Sequence, residues 1–487
     1  MRRTWVCGFL FFLLPACAFA QTNTDRVIAE ASKPSSLQAN LERLADQVGG
    51  RVPGTPAMER AVQWAVDAFK AAGADSVHTE NFTIPNSWAE GATEMTVVSP
   101  ENFRVRVISR AWTPALSAQK HAPVIDVGAG TEQDFSKAGK IDGAILLVHS
   151  EEMRTWADLV DEYSRAREVA GRAVKAHALA IAFQSTRPHD LLYRHTSAVE
   201  GDIDRIPSFL VAREDASRMA RLIVSGQKIY ADVVIPNRVG GPITSANVVA
   251  ELRGSEKPDD FVVLGAHLDS WELGTGALDN GCNAALVIDT LRAIKASGVR
   301  PRRSIRFILF SGEEQGMVGS FKYVRAHRNE LDNVDAVIVF DSGIGRVTGF
   351  SLGGRKDVIP AATALFSNLK PLAGDGFTTD AGADTDNFDF MIEGVPTLVA
   401  NQEEANYLIN YHASSDTFDK VDMALLKQHV VEAVAATFAI ADAPNRLGPR
   451  LNRAQITENL RETHLDEDLK TSQLWEEWEN SSRGREK

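Results

Sequence analysis

A histidine and two aspartates follow an apolar run near the middle of the chain. Residues 262–283 read VVLGAHLDSWELGTGALDNGCN, and the polar residues that could do chemistry there are His267, Asp269 and Asp279. The apolar start predicts a buried strand, so His267 and Asp269 lie where it ends and point the same way. Ligands of open α/β sheets bind beyond such strand ends. The pattern indicates half of a metal site, although a single His-x-Asp more often faces water in a loop.

Further candidate ligands lie downstream. The acidic pair Glu313–Glu314 and the single Asp341 each follow a predicted strand, and His412 in the loop YHASSDT supplies a second imidazole. The carboxyl ends of parallel strands meet at one edge of a sheet. We therefore expect these side chains to converge with the first three.

Two imidazoles and three carboxylates without a cysteine suit zinc most readily, with cobalt or manganese as alternatives. Such a set can hold two ions if one carboxylate bridges them. Two metal ions lower the pKa of a water molecule and polarise a substrate carbonyl. A further carboxylate must then carry the proton of that water to the leaving amine. The adjacent pair Glu313–Glu314 can supply both a ligand and this base.

An α/β sheet must position these residues. After Gly240-Gly241-Pro242, strand patterns alternate with helix patterns, which predicts a mostly parallel central sheet flanked by helices. An earlier helix starts at Thr55 and stops at Gly73. The predicted strands are 247–252, 261–266, 304–310, 335–340 and 395–399, and the predicted helices are 284–296, 317–327 and 423–441.

The chain has 487 residues and exceeds one ordinary core, so at least two domains are expected. Residues 114–236 contain short strand patterns and one helix-rich stretch, which predicts a β-rich domain inserted into the α/β domain. The latter would comprise 21–113 and 237–445. The charged segment 446–487 carries apolar residues at helical spacing and predicts a helical C-terminal extension.

The amino terminus has the features of a secretory signal peptide. Two arginines precede a short apolar run, and AFA at 18–20 predicts cleavage after Ala20, so residues 1–20 would be removed. The run is too short to span a bilayer. LPAC at 14–17 leaves a lipid anchor on Cys17 as an alternative. We therefore expect a secreted or periplasmic protein.

The charge balance limits the partners. The chain has 65 acidic and 52 basic residues and a net charge of −13. Loss of Arg2 and Arg3 with the signal leaves 50 basic residues against 65 acidic, a net charge of −15. Such a surface repels nucleic acid and anionic membranes, so neither is expected as a partner, and no membrane span is predicted. Cys282 would be the single cysteine of the mature chain, which excludes an internal disulfide.

Four motifs, in this order and spacing, resemble peptidase family M28, a family of dinuclear zinc exopeptidases: HLDSWELGTGALDNG, SGEEQGMVGS, VFDSG and YHASSDT. The similarity is greatest to the plasma glutamate carboxypeptidase (carboxypeptidase Q) branch, and it extends over residues 37–444, including GGRVPGTPAMERAV. The resemblance implies a zinc aminopeptidase- or carboxypeptidase-like α/β fold. It also identifies the inserted region as a protease-associated domain, which is non-catalytic and often shapes access to the site.

The resemblance implies two zinc ions per chain and a role for each matched residue. Asp279 would bridge the ions, although the family often has Asp-Asp-Gly where this chain has Asp-Asn-Gly. The pairs of ligands specific to one ion would be His267 with Asp341, and Glu314 with His412.

The resemblance also implies three roles besides metal binding. Glu313 would be the general acid and base, and Asp269 would be the carboxylate that fixes the ring of His267. The hydroxyl of Tyr411 would help to hold the oxyanion.

Asp416 lies four residues after His412. From this position we expect it either to orient the loop of His412 or to cap the last helix.

The predicted function is exopeptidase cleavage of the terminal peptide bond of short peptides or dipeptides by metal-activated water. One alternative is an N-terminal aminopeptidase of the same family, which a comparison of free and blocked amino termini would identify. Two others are a non-catalytic binding protein on the same fold and a glutaminyl cyclase with a single zinc. A homodimer is an open alternative to a monomer.

Overall fold

A mixed β-sheet lies at the centre of the α/β part of the chain in the computed structural model, which describes residues 22–198, 200–367, 369, 376–472 and 474–486. The third to sixth strands run parallel, so their carboxyl ends share one edge. The outer pairings are antiparallel except between the last two strands. Across the described residues, the strands in spatial order are Ser76–Ile84, Ile243–Leu252, Arg303–Phe310, Lys257–His267, Val334–Val339, Thr397–Gln402, Val347–Ser351 and Gly376–Thr378.

Side-chain alternation along these strands builds two apolar layers. In Lys257–His267, Val262 and Leu264 pack into one layer, and Phe261 and Val263 into the other, because successive side chains of a strand point to opposite faces. Both faces of the sheet are therefore covered, which confirms the predicted α/β fold. The first layer includes the helices Asn23–Ala31, Leu37–Glu42, Pro56–Ala72, Cys282–Ala296, Ile359–Phe366 and Met423–Asp442, and the second includes Val318–Ala326 and Asn387–Met391.

Short helical turns connect these elements. They are Arg43–Val48, Ala277–Gly281, Arg328–Asn333, Lys356–Val358, Tyr407–Asn410 and Phe418–Lys420. The long helix Pro56–Ala72 has the predicted ends: the hydroxyl of Thr55 accepts a hydrogen bond from the N–H of Met58 at 3.3 Å, and Gly73 takes a left-handed φ of 92°.

The helix Met423–Asp442 is long and apolar enough to cross a membrane, and no other described helix is. Two thirds of its most apolar window, 67%, is buried inside the protein. It packs against Cys282–Ala296 within the first apolar layer. The apolar composition of this helix is therefore explained by its position in the protein core.

A second sheet is formed mainly by the region predicted as the inserted domain. The helices Glu132–Lys137, Trp156–Lys175 and Arg213–Val224 accompany it, and the second of these is the helix-rich stretch that the sequence predicts. Three of its strands precede residue 114, the predicted domain boundary; they are Glu94–Ser99 and the two edge strands Phe103–Val105 and Val107–Ser109. Over the described part of the chain, its strand order is Phe103–Val105, Glu94–Ser99, Ile229–Ile235, Leu116–Asp126, Ile145–Val148, Ala180–Gln184, Ser208–Val211 and Val107–Ser109.

A small ribbon pairs Trp88–Ala89 with Arg238–Val239 where the chain passes between the two sheets. The division into domains and the protease-associated assignment stay predictions. The predicted signal peptide, residues 1–20, lies outside the described residues.

The C-terminal segment folds back onto the second apolar layer of the central sheet. It forms the helices Arg453–Glu462, Leu465–Thr471 and Leu474–Asn480. Ile456 and Leu460 pack there against Phe388. Beyond the last helix, the buried Arg483 donates to both oxygens of the buried Asp389, at 2.7 and 3.0 Å. The segment is therefore part of the core rather than a free tail.

We expect Arg483→Met to lower the free energy of unfolding by about 3–5 kcal/mol, because it leaves the Asp389 carboxylate buried without its charged partner. Denaturation by urea measures the change. Lys470→Met is the matched control, because it removes an exposed ion pair with Asp466, which is worth at most about 1 kcal/mol. Equal stabilities of the two variants would contradict the docking of this segment.

Candidate metal centre

The parallel strands bring the predicted ligands to one edge of the sheet. His267 is the last residue of its strand and pairs in register with Phe310, so the pair Glu313–Glu314 begins three residues beyond the neighbouring strand end. Asp341 lies two residues after Val334–Val339, on the other side of His267. The turn Ala277–Gly281 and the loop before the last long helix add Asp279 and His412.

One half of the cluster centres on His267. Its Nε2 lies 3.1 Å from Oδ1 of Asp279 and 3.2 Å from Oδ1 of Asp341. Its Nδ1 lies 2.9 Å from the backbone carbonyl oxygen of Asp269. A carbonyl can only accept, so Nδ1 carries the proton and Nε2 is the nitrogen available to a metal.

The other half centres on His412. Its Nε2 lies 2.9 Å from Oε2 of Glu314 and 3.2 Å from Oδ2 of Asp279. Asp279 thus presents one oxygen to each imidazole. The candidate ligand atoms form two groups, each within 4.8 Å, and Asp279 belongs to both.

The donor set fits divalent metal ions. Oδ2 of Asp279 and Oε1 of Glu314 are buried and accept no hydrogen bond from any described residue. Unpaired buried carboxylate oxygens are costly, and metal coordination is one way to satisfy them. Two imidazoles and three carboxylates also form a ligand set typical of zinc.

Glu313 lies beside the cluster and lines a cavity that opens over it. Its Oε2 is 4.0 Å from Nε2 of His267. Its enclosure raises the pKa of its carboxyl well above the usual value; His267 opposes this shift, and the negative charges of Asp341 and Glu314 add to it. A carboxyl with a raised pKa can accept a proton and later release it near neutral pH.

Asp269 supports the acidic pair more directly than it supports the histidine ring. Its two carboxylate oxygens each accept one backbone N–H, from Glu313 and from Glu314, both at 3.3 Å. Its Oδ1 is 3.7 Å from Nδ1 of His267, farther than the backbone oxygen of the same residue. The contact to the ring that the sequence led us to expect is therefore made by the carbonyl.

Tyr411 lies beside the cluster and lines the cavity, and its ring stacks on that of His412 with centroids 3.6 Å apart. Burial raises the pKa of Tyr411 well above its usual value, and the nearby Tyr163 and Asp279 act in the same direction. The hydroxyl therefore keeps its proton and can donate a hydrogen bond.

A cavity of about 730 Å³ opens over the cluster. Trp156, Val160 and Tyr163 line one wall, and all three belong to the helix Trp156–Lys175 that accompanies the second sheet. The floor includes Glu313 and Asp341. The volume lies in the range of pockets that take small ligands.

Two buried residues that hold the turn of Asp279 were not among the predicted site residues. Arg51 donates to the backbone carbonyls of Leu268, Thr275 and Gly276 at 2.6–2.8 Å, and so fixes the loop between His267 and Asp279. The carboxylate of Asp416 accepts the N–H groups of Leu278 and Asp279, at 2.7 and 3.1 Å. The structure excludes the helix-capping role considered for Asp416, because Asp422 caps the last long helix. The segment that the Asp416 carboxylate orients is the turn of Asp279, in place of the His412 loop named in the prediction.

Comparison with known proteins agrees with this geometry. Residues 247–437 match the profile of peptidase family M28. Carboxypeptidase Q from Homo sapiens is 26% identical over 409 residues, which cover 84% of this chain and 85% of that protein. Aminopeptidase YwaD from Bacillus subtilis (strain 168) is 22% identical over 422 residues, 84% of each chain. The crystal structure of the Peptidase M28 precursor from Shewanella amazonensis SB2B has a TM-score of 0.79 and 26% identity, over 88% of this chain and 98% of that one.

The fold, the clustered ligands and these relatives define a metallo-exopeptidase. Residues 247–437, which match peptidase family M28, contain every predicted ligand. The roles of the individual residues stay predictions.

We expect Asp269→Asn to lower peptidase activity about 10- to 100-fold, the usual effect of losing a support of metal ligands. The amide presents an NH₂ group to one of the two backbone N–H groups that the carboxylate accepts. Steady-state kinetics measures the effect. Asp215→Asn is the control, because Asp215 accepts the backbone N–H of Arg106 away from the cluster. Unchanged kinetics of Asp269→Asn would contradict the supporting role.

Proposed function

We propose that this protein is an exported dinuclear zinc exopeptidase that hydrolyses the terminal peptide bond of short peptides or dipeptides. The observation that carries the proposal is the position of Asp279, which presents one carboxylate oxygen to each of two imidazoles. A carboxylate shared in this way is what a pair of neighbouring cations requires of a bridging ligand.

His267 and Asp341 would hold one zinc, Glu314 and His412 the other, with Asp279 common to both. Bound zinc supplies the Lewis acidity that polarises a peptide carbonyl and lowers the pKa of water. Cobalt or manganese would suit the same ligands.

Glu313 and Tyr411 would act on the substrate. The carboxylate of Glu313 takes a proton from the attacking water and delivers it to the nitrogen of the leaving amine. The hydroxyl of Tyr411 donates a hydrogen bond to the oxygen that gains negative charge. The walls around both residues reduce access of bulk water, which strengthens each of these interactions.

Short peptides are the preferred substrates in this proposal. A cavity of about 730 Å³ has room for a few residues, and the aromatic residues Trp156 and Tyr407 line it. The identity to carboxypeptidase Q, 26%, exceeds that to the aminopeptidase, 22%, and favours a carboxypeptidase Q-like dipeptidase. An N-terminal aminopeptidase is the second candidate.

The decisive experiment measures zinc per chain together with hydrolysis of a peptide panel, for the wild type and for Glu313→Gln. We expect two zinc ions per chain in both proteins. We expect kcat of the variant to fall about 10²- to 10⁴-fold, because the amide cannot carry the proton. Chelation of the metal should abolish activity, and added zinc should restore it.

The control variant Glu462→Gln changes an exposed carboxylate that pairs with Lys356 and should keep full activity. Retained activity in Glu313→Gln would show that Glu313 is not the base. Blocked amino termini in the panel separate the two candidates: an aminopeptidase cleaves only peptides with a free amine. Zinc binding without turnover of any peptide would indicate a binding protein, and one zinc with cyclisation of N-terminal glutamine would indicate a cyclase.

The export proposal rests on the sequence features of residues 1–20. The first described helix, Asn23–Ala31, is capped by Thr22, the second residue after the proposed cleavage point. We expect N-terminal sequencing of the protein from the periplasm or medium to start at Gln21. A start at Cys17 with an attached lipid would support the lipoprotein alternative, and a chain retained in the cytoplasm would contradict export. Light scattering of the same sample distinguishes a monomer from a homodimer.

A further inference from the structure

The loop that carries His412 is attached to the second sheet unit as well as to the central sheet. Backbone hydrogen bonds join the two at His412 itself and two residues after it, so this loop behaves like an extra strand of a short ladder. The contacts are the N–H of Arg194 to the carbonyl of His412 at 2.9 Å, the N–H of Ser414 to the carbonyl of Leu192 at 3.1 Å, and an antiparallel bridge between Tyr193 and Ala413.

The ring of His412 has one nitrogen directed at the cluster and one directed away from it. Nε2 faces Glu314 and Asp279. Nδ1 lies 3.4 Å from the hydroxyl of Tyr163, which comes from the helix Trp156–Lys175 beside the second sheet. Histidines that bind metals almost always donate their second N–H to a fixed acceptor.

We propose that Tyr163 is a positioning residue for the metal centre: its hydroxyl oxygen accepts the Nδ1–H of His412 and so directs Nε2 towards the ion. This inference rests on the proposed function. It gives the second sheet unit a part in building the centre, in addition to forming a wall of the cavity.

A buried polar network holds the ring of Tyr163 in place. The ring stacks on that of His195, with centroids 4.5 Å apart and an interplanar angle of 22°. Nδ1 of His195 lies 3.2 Å from a carboxylate oxygen of Glu162. The same carboxylate accepts hydrogen bonds from the hydroxyls of Tyr193 at 2.6 Å and Thr186 at 2.9 Å.

This network also reaches the His412 loop directly. Arg187 stacks over the ring of Tyr193, and its guanidinium donates to the carbonyl of Tyr411 at 3.3 Å. The ring of His195 meets that of His412 edge-on, with centroids 5.1 Å apart. The side chains behind Tyr163 therefore leave its hydroxyl little freedom to move away from Nδ1.

The test is Tyr163→Phe in the full chain, which removes the acceptor and keeps the ring. We expect the dissociation constant of one zinc per chain, measured by competition with a chromogenic chelator, to rise about 10- to 100-fold. The second zinc, assigned to His267 and Asp341, should keep its affinity and reports that the chain is folded. Activity lost by the variant should return at high zinc concentration.

Tyr230→Phe is the matched control. Tyr230 is also half-buried, belongs to the second sheet and stacks on a histidine ring, that of His121 at 4.3 Å. It should bind both zinc ions as the wild type does. Wild-type affinities in Tyr163→Phe would overturn the inference, as would an equal weakening of both ions. A wild-type chain that binds fewer than two zinc ions would instead contradict the proposed function itself.

Discussion

The candidate metal centre depends on several negative charges that lie close together in the protein interior. Asp279, Glu314 and Asp341 approach one another around two imidazoles, and Glu313 lies next to them. Two like charges about 4 Å apart repel by about 4 kcal/mol at an effective dielectric constant near 20. A protein keeps such a group of carboxylates together only if cations balance them and if the backbone around them is held firmly. The imidazoles and the proposed metal ions meet the first need, and the residues around the cluster meet the second.

The surrounding residues act mainly on the backbone. Arg51 gives its guanidinium N–H groups to carbonyls of the loop before Asp279, and Asp416 accepts N–H groups at Asp279 itself. Asp269 does the same for Glu313 and Glu314. The Arg51 guanidinium is charged, and hydrogen bonds of a charged group are about twice as strong as those between neutral partners. The strand ends position the candidate ligands, and the hydrogen bonds of Arg51, Asp416 and Asp269 fix the loops that follow the strands.

The sequence allowed the convergence of the candidate ligands to be predicted because of where they lie. His267, Glu314 and Asp341 follow apolar strands whose pattern is plain in the sequence, and parallel strands must end together. Asp279 and His412 lie in a turn and a loop, and only the order of the motifs linked them to the others. The structure brings all five together. The short strands Val347–Ser351 and Gly376–Thr378 were not predicted, because few residues and two glycines give no alternation to read.

The supporting residues could not be predicted from the sequence. Arg51 lies in a glycine-rich segment where an arginine usually faces water, and its partners are carbonyls more than 200 positions away. Asp269 was expected to hold the ring of His267, and only the coordinates show that its carbonyl does so. Tyr163 lies in the helix Trp156–Lys175 and His195 in a loop, both outside the central sheet, and nothing in their spacing connects them with His412. Contacts of this kind depend on how two sheets meet, which no local pattern encodes.

The bridge between Tyr193 and Ala413 has a consequence for how this architecture can evolve. A domain that is joined to the rest of its protein only by linkers can be exchanged between lineages as one piece. Here the second sheet unit forms backbone contacts with residues 412–414, and His412 is a candidate metal ligand. Recombination at the linkers would therefore place a different segment against this loop. Substitutions in residues 192–194 and in residues 412–414 are therefore expected to depend on one another.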